Sequence, residues 1–205
     1  MYMKKILLLL VLMATFSLSA HGVEGYINFD FSAPLKFELE QNQRVTSLAV
    51  GVAPRVMFNK IIGLYGCFDL VFPVKITKKT AVGEVTYNIK DYEHLIGFDM
   101  LIAPAIVPVE RDIFKLLLAP GFHLNNTTYD GKLTKVSDTS IGIGMNTIGE
   151  LHFTKSFYMD LGFGLFYDFY RFSSTTVKLT DSKTKTKGTE SELVFQPRIG
   201  FGFHF

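Results

Sequence analysis

Glu192–Phe205 reads ELVFQPRIGFGFHF, and its alternation decides the fold. Leu193, Phe195, Pro197, Ile199, Phe201, Phe203 and Phe205 alternate with Val194, Gln196, Arg198, Gly200, Gly202 and His204. Successive side chains of a strand point to opposite faces. One face is therefore oily along its whole length, and the other is polar or small. A soluble sheet sustains such a pattern for about five or six residues. Alternation over about ten residues, repeated along a chain, is the length that crosses a bilayer as a tilted strand.

Seven earlier segments alternate in the same way: Tyr26–Leu39, Val45–Phe58, Leu64–Ile76, His94–Val107, Phe114–Asn125, Ser140–Phe153 and Phe157–Phe172. None sustains an apolar period of about 3.6 residues, so helix is disfavoured. The connections Asn59–Gly63, Pro108–Ile113 and Thr154–Ser156 are short. Thr77–Glu93, Asn126–Thr139 and Ser173–Ser191 are longer and polar, while the first hairpin near Glu40–Arg44 is the short exception on that side. The spacing predicts an all-β fold, an eight-stranded antiparallel up-and-down transmembrane β-barrel. Its short turns lie at one end and its long loops at the other. An even strand number lets the last strand pair with the first, removing edges that lipid cannot satisfy. Pro54, Pro104, Pro120 and Pro197 fall inside predicted strands on the oily face, where local disruption of the ladder is expected.

The chain has 205 residues and a net charge of +2, a balance that gives no sign of nucleic-acid binding. Mean hydropathy is +0.24, yet the longest apolar run, Ile6–Ala14, is too short to span a membrane as a helix. That run follows Lys4 and Lys5 and precedes the small-residue stretch Ser17–Gly22. This is the layout of a secretory signal peptide, here residues 1–22, leaving 23–205 as one barrel domain. Cleavage after Ala20 is nearly as plausible as cleavage after Gly22. Cys67 is the single cysteine, so no disulfide is expected.

With these features the mature chain resembles the small eight-stranded outer-membrane barrels of the OmpA-transmembrane, OmpX and OmpW types. The resemblance rests on the leader, the eight segments, the loop asymmetry and the terminal strand. It implies a location in the bacterial outer membrane with the long loops extracellular. It also implies that Phe201, Phe203 and Phe205 form the signal read by the barrel assembly machinery, and that outer-membrane lipid surrounds the barrel. No subfamily motif is present.

Function is sought among the inward residues. Alternation places Asp30, Arg55, Asp69, Asp99, His123, Glu150, His152, Asp160, Asp168 and Arg198 there. Asp30, Arg55, Asp69, Glu150, Asp160 and Arg198 share a slab near the short-turn end, where Arg55 is expected to pair with Asp69, and Arg198 with Asp160 or Asp30. Charges in a narrow lumen must be paired or wet. The residues are read as a polar plug, with a gated proton or ion path as the sharper alternative. Gly121, Gly142, Gly144, Gly162 and Gly164 face inward too. They either open a cavity, which in OmpW-type barrels is associated with small hydrophobic compounds, or relieve crowding where the sheet curves.

Catalysis is not expected. No His-x-Ser pair is present, no helix follows the Gly-x-Gly pairs, and Glu150 with His152 lacks a third metal ligand. No metal and no cofactor are therefore assigned. The lysine- and threonine-rich stretch Ser173–Ser191 suggests strands continuing as a protruding hairpin, as does Thr77–Glu93. Such hairpins could meet an extracellular partner by strand addition or touch anionic headgroups. Tyr92, Tyr129, Tyr167 and Phe169 are expected to mark the upper membrane interface. The leading function is a non-enzymatic outer-membrane barrel with a structural or surface-interaction role, or a narrow pore for small solutes. The alternatives are a soluble periplasmic ligand-binding barrel and a lipid A-modifying enzyme.

Overall fold

A computed structural model describes residues 23–39, 43–80, 83–87, 92–180, 182–188 and 191–205. The expected leader, residues 1–22, lies outside them. Eleven strands follow in order: β1 (Glu24–Ser32), β2 (Leu35–Glu38), β3 (Gln43–Met57), β4 (Ile62–Thr80), β5 (Gly83–Tyr87), β6 (Tyr92–Arg111), β7 (Phe114–Gly131), β8 (Thr134–His152), β9 (Phe157–Val177), β10 (Ser182–Gly188) and β11 (Glu192–His204). β1 and β2 form one barrel stave, interrupted at Ala33-Pro34, where Ala33 N–H donates to the Pro197 carbonyl and the Pro34 carbonyl accepts from Ser47. β5 and β10 are arms of hairpins that extend β4 and β9. The remaining staves pair antiparallel in sequence order, and β11 closes the sheet on β1.

One circuit of the barrel gives its geometry. Cα partners run from Phe114 to Leu151, Met159, Phe201, Phe29, Val52, Phe68, Met100 and back onto β7 at Leu124. The path returns ten residues up its starting strand, from Phe114 to Leu124. A stagger of that size on eight strands tilts them by about 40° and leaves an interior that side chains can fill. Every residue on the circuit is apolar, and most of its large side chains are exposed on the outside. Phe122, Leu161, Ile102 and Leu48 belong to the same outer belt. The alternation of the sequence is thus realised with the oily face outward.

The four flagged prolines leave the register intact. Pro54 stays opposite Ile27, Pro104 opposite Leu64, Pro120 opposite Met145 and Pro197 opposite Phe163. A residue in an antiparallel ladder bonds one neighbour with both its N–H and its C=O. Each proline thus costs a donor on one side only, and pairing resumes beyond it. Pro104 and Pro120 lie on the same seam, yet pairing passes from Ile102–Phe122 to Ile106–Leu118 without a slip. Two register shifts fall instead beside Pro73 and Pro108, between Thr46 and Ser47 and between Ile106 and Val109.

Asn126–Thr139, read from sequence as a loop, is mostly strand. β7 runs to Gly131 and β8 resumes at Thr134. Its Thr, Asn and Ser residues are polar but suit a solvated ladder. Tyr129 does not face the membrane interface. It lies buried with Val45 and Ile76 in a small apolar cluster inside the upper barrel, on the face that alternation from Leu124 dictates. Tyr167 is outward and exposed, and the Tyr92 side chain lies outside the described residues.

Candidate functional site

The lumen holds four tiers of charge; the first joins opposite walls, and the others join staves one to three places apart. At the short-turn end, Arg55 on β3 donates two hydrogen bonds to Glu150 on β8, Nη1 to Oε1 and Nη2 to Oε2 at 3.1 Å. The guanidinium lies 4.0 Å above the Tyr26 ring, and His152 Nε2 lies 3.2 Å from Glu150. Asp69, the expected partner of Arg55, is elsewhere. Its neighbours across the ladder are Gly51 and Asp99, well up the barrel from Tyr65, the partner of Arg55. In so narrow a barrel a long guanidinium reaches an opposite strand more easily than a residue displaced along a neighbouring one.

The second tier centres on Arg198. Its Nη2 donates to Asp30 at 2.7 Å and lies 3.0 Å from Cys67 Sγ and 3.7 Å from Asp69. This is the expected Arg198–Asp30 pair. Gln196 donates to both Asp69 and Ser32, and the Asn28 amide links Asp30 to Asp160. Asp30, Cys67 and Asp69 converge closely enough to hold a metal ion, but the guanidinium already occupies the position a cation would take.

In the third tier His123 sits between two carboxylates, Asp168 at 2.7 Å from Nδ1 and Asp99 at 3.0 Å from Nε2. Its ring stacks on Phe166 with centroids 4.2 Å apart. Ser140 donates to Asp168 and Asn125 to Asp99. The Ser140 hydroxyl thus binds the carboxylate, not the imidazole, and is not an activated nucleophile in the sense of a Ser-His-Asp triad.

The fourth tier was missed in the sequence. Arg171 on β9 binds Glu38 at 3.1 Å, Asp138 at 2.8 Å and Glu192 at 3.4 Å, and Lys36 binds Glu192 at 2.7 Å. Simple alternation from Asp168 sends residue 171 outward. A register shift makes Asp168 pair with Gly142 but Tyr170 with Ile141, inserting one residue and turning Arg171 inward. The available signal was a lone arginine on an otherwise aromatic outer face. Lys36, Glu38 and Glu192 needed no bulge, since plain alternation from Asp30 and Gln196 puts them inside.

All seven charged residues singled out in the sequence, Asp30, Arg55, Asp69, Asp99, Glu150, Asp160 and Arg198, line the lumen and are buried or nearly so. Asp30, Asp69, Asp160 and Arg198 come together, Arg55 meets Glu150, and Asp99 stands one tier above with His123. At the short-turn rim Lys115 Nζ lies 2.9 Å from the Glu110 carboxylate. A basin of about 880 Å³ opens there, lined by Lys60, Glu110, Lys115, His152 and His204 among others.

The inward glycines face occupied space. A Cβ on Gly142 would lie 2.1 Å from the Tyr167 carbonyl and 2.4 Å from an Asp168 oxygen. On Gly144 it would meet Phe166 at 2.2 Å, on Gly162 the Thr147 carbonyl at 2.3 Å, on Gly164 Asn146 and Phe166 at 2.5 Å, and on Gly121 the Ile102 carbonyl at 2.2 Å. Phe166, Asp168 and Asn146 fill the space these glycines free, which supports relief of crowding and gives a cavity no support.

No protein-family model and no curated protein matches the sequence. Solved structures do match in fold. Neisserial surface protein A aligns over 88% of this chain and 97% of its own, with a TM-score of 0.56 at 14% identity. The outer-membrane protein OprG of Pseudomonas aeruginosa aligns over 88% and 95%, with a TM-score of 0.55 at 10% identity. The outer-membrane protein AlkL, determined in lipid bilayers, aligns over 89% and 90%, with a TM-score of 0.57 at 10% identity. Closure on eight staves, the outward apolar belt and these alignments together give the chain the fold of the small eight-stranded outer-membrane β-barrels.

Proposed function

We propose that the protein resides in the bacterial outer membrane, as a non-enzymatic barrel whose lumen is a static plug and whose work is done at its outer surface. The observation that carries this reading is the stack of buried ion pairs and hydrogen bonds that fills the lumen. Arg55–Glu150 bridges opposite walls, Gln196–Asp69 reaches three staves round the barrel, and Arg198–Asp30, Asp168–His123–Asp99 and the Arg171 cluster tie staves one or two apart, at successive heights. Breaking any one of them would strand a buried charge, which costs several kcal/mol. The apolar belt supports residence in a bilayer, and export through a cleaved leader and assembly through Phe201, Phe203 and Phe205 follow from that residence. The hairpins that project beyond the belt, β4–β5, β7–β8 and β9–β10, are the elements available to an extracellular partner.

A second reading, passage of small polar solutes, has one observation in its favour. In the second tier Asp69 Oδ1, Asp160 Oδ1 and Arg198 Nε and Nη1 are buried without a protein hydrogen-bond partner. Groups of this kind are normally satisfied by water, so a thin wet path could run between the tiers. Planar-bilayer conductance separates the readings. A plug gives no stable channel in the wild type and transient, ill-defined openings in Arg198→Ala. A stable wild-type channel that disappears in Arg198→Ala or Asp69→Ala overturns the plug. Heat modifiability of the refolded protein on gels, with a strand spectrum by circular dichroism, tests the membrane barrel itself.

A further inference from the structure

From the outer face of the β9–β10 hairpin we infer a binding site for phosphate-bearing lipid headgroups of the outer leaflet. This rests on the membrane reading above. Lys183, Lys185 and Lys187 occupy alternate positions of β10, opposite Thr176, Ser174 and Phe172 of β9. Residues directly opposite in an antiparallel pair share a face, so the three lysines stand in one row with those partners. β8 continues the rows with Lys135, Ser137 and Thr139. Following β9 downward, this face is the lipid face: below Phe172 it carries Tyr170, Phe169, Tyr167 and Leu165, the last three exposed on the outer belt. The lysine row therefore begins at the upper edge of the apolar belt and climbs away from it.

Three features of the row suit a phosphate-bearing headgroup. Alternate residues on a strand lie about 7 Å apart, so the lysines span about 14 Å along β10 and, at a tilt of about 40°, about 11 Å normal to the belt, which suits a headgroup layer rather than a single ion. The lowest, Lys187, lies with Nζ 5.8 Å from the Phe172 ring, which packs edge-on against Tyr170 at 4.7 Å. That puts a cation and an aromatic pair together at the boundary between acyl chain and headgroup. On β8, β9 and β10 the three rows hold no carboxylate. Among the described residues, the first acid along these rows is Asp130 on β7, at the far end of the Lys135 row, where it is held by Lys178 at 2.8 Å and lies 3.9 Å from Lys135. Lysines on an edge strand also discourage unwanted strand addition, but that role does not require them all on the lipid-ward face.

The test uses the full mature chain refolded into phosphatidylcholine vesicles doped with fluorescent lipid A, either bisphosphorylated or dephosphorylated. Lys183→Gln/Lys185→Gln/Lys187→Gln is compared with wild type, and Thr184→Gln on the opposite face of β10 is the control. The wild type and the control enrich the bisphosphorylated lipid over the dephosphorylated one at low salt. The triple variant loses that preference by about a hundredfold, about fivefold per lysine, and salt erodes it in the wild type. Equal enrichment by wild type and triple variant overturns the site. So does competition by a soluble sulfated polysaccharide that depends on the same lysines, which would make the partner a soluble polyanion. Failure of the wild type to insert and show heat modifiability would instead sink the membrane reading beneath it.

Discussion

The same staves present two surfaces that obey different rules. Phe29, Phe201, Met159 and Leu161 face outward, and Asp30, Gly200, Asp160 and Gly162 are their immediate chain neighbours facing in. Outside, any apolar side chain serves, because lipid has no shape to match and each residue contributes roughly in proportion to its area. Inside, each charged group depends on a named partner on another strand, near or across the lumen, and loses several kcal/mol if that partner goes. The outer face is tolerant of identity and intolerant of charge. The inner face is tolerant of charge and intolerant of isolated change.

The largest expected effect tests the inner rule. Arg55→Ala strands the Glu150 carboxylate, whose other side-chain contact is His152, and should lower unfolding free energy by about 3–5 kcal/mol. Arg55→Met combined with Glu150→Leu removes both charges and should recover most of that loss, because an apolar replacement of a buried pair is often neutral or better. Urea unfolding in lipid vesicles measures both. A double variant as unstable as the single one would mean that Arg55 acts mainly by packing on Tyr26, not by neutralising Glu150.

The outer rule predicts a smaller loss. Phe122 is the most exposed phenylalanine of the belt, at 74%. Phe122→Arg should cost about 2–4 kcal/mol if it lies at the bilayer midplane, while Phe122→Leu should change little. The same pair of substitutions in a detergent-free aqueous refolding assay should show no such contrast. If Arg is tolerated as well as Leu in vesicles, the belt does not face hydrocarbon.

The contrast also explains what was legible in the sequence. The outer face needs only a period of two, and Glu192–Phe205 displays it, so strand number, order and closure could all be read from alternation. Inward orientation of Asp30, Asp69 or Arg198 follows from the same parity. Partner choice does not, because parity carries no information about which strands oppose one another across the lumen. Arg55 reaches Glu150, 95 residues away, and nothing local marks that pairing. Parity itself fails where a bulge inserts a residue, as between Asp168 and Tyr170, and Arg171 was misplaced there, while its partners Lys36, Glu38 and Glu192 keep their parity. The polar stretch Asn126–Thr139 was misread for a related reason: above the belt the outer face is wet and the buried inner face is largely polar, so apolar alternation vanishes while the ladder continues.

The glycines give the finest test of the difference between the two faces, because on them shape alone is at stake. Gly142 lies inside, against the Tyr167 carbonyl and the Asp168 carboxylate that anchors His123. Gly149 points outward, where a Cβ would meet only Phe114 carbons at 3.2 and 3.6 Å and the Leu161 carbonyl at 3.7 Å. Gly142→Val should therefore cost about 1–3 kcal/mol, the usual range for overpacking. Backbone cannot retreat in a closed ladder, and moving Asp168 breaks its bond to the imidazole. Gly149→Val adds apolar area to the lipid face beside the edge of a ring that can shift by a few tenths of an ångström, and should be neutral within about 0.5 kcal/mol. Vesicle unfolding compares the two directly. A Gly142→Val variant as stable as wild type would show that the lumen has slack at the height of His123, and the case for a cavity there, and for a solute to fill it, would reopen.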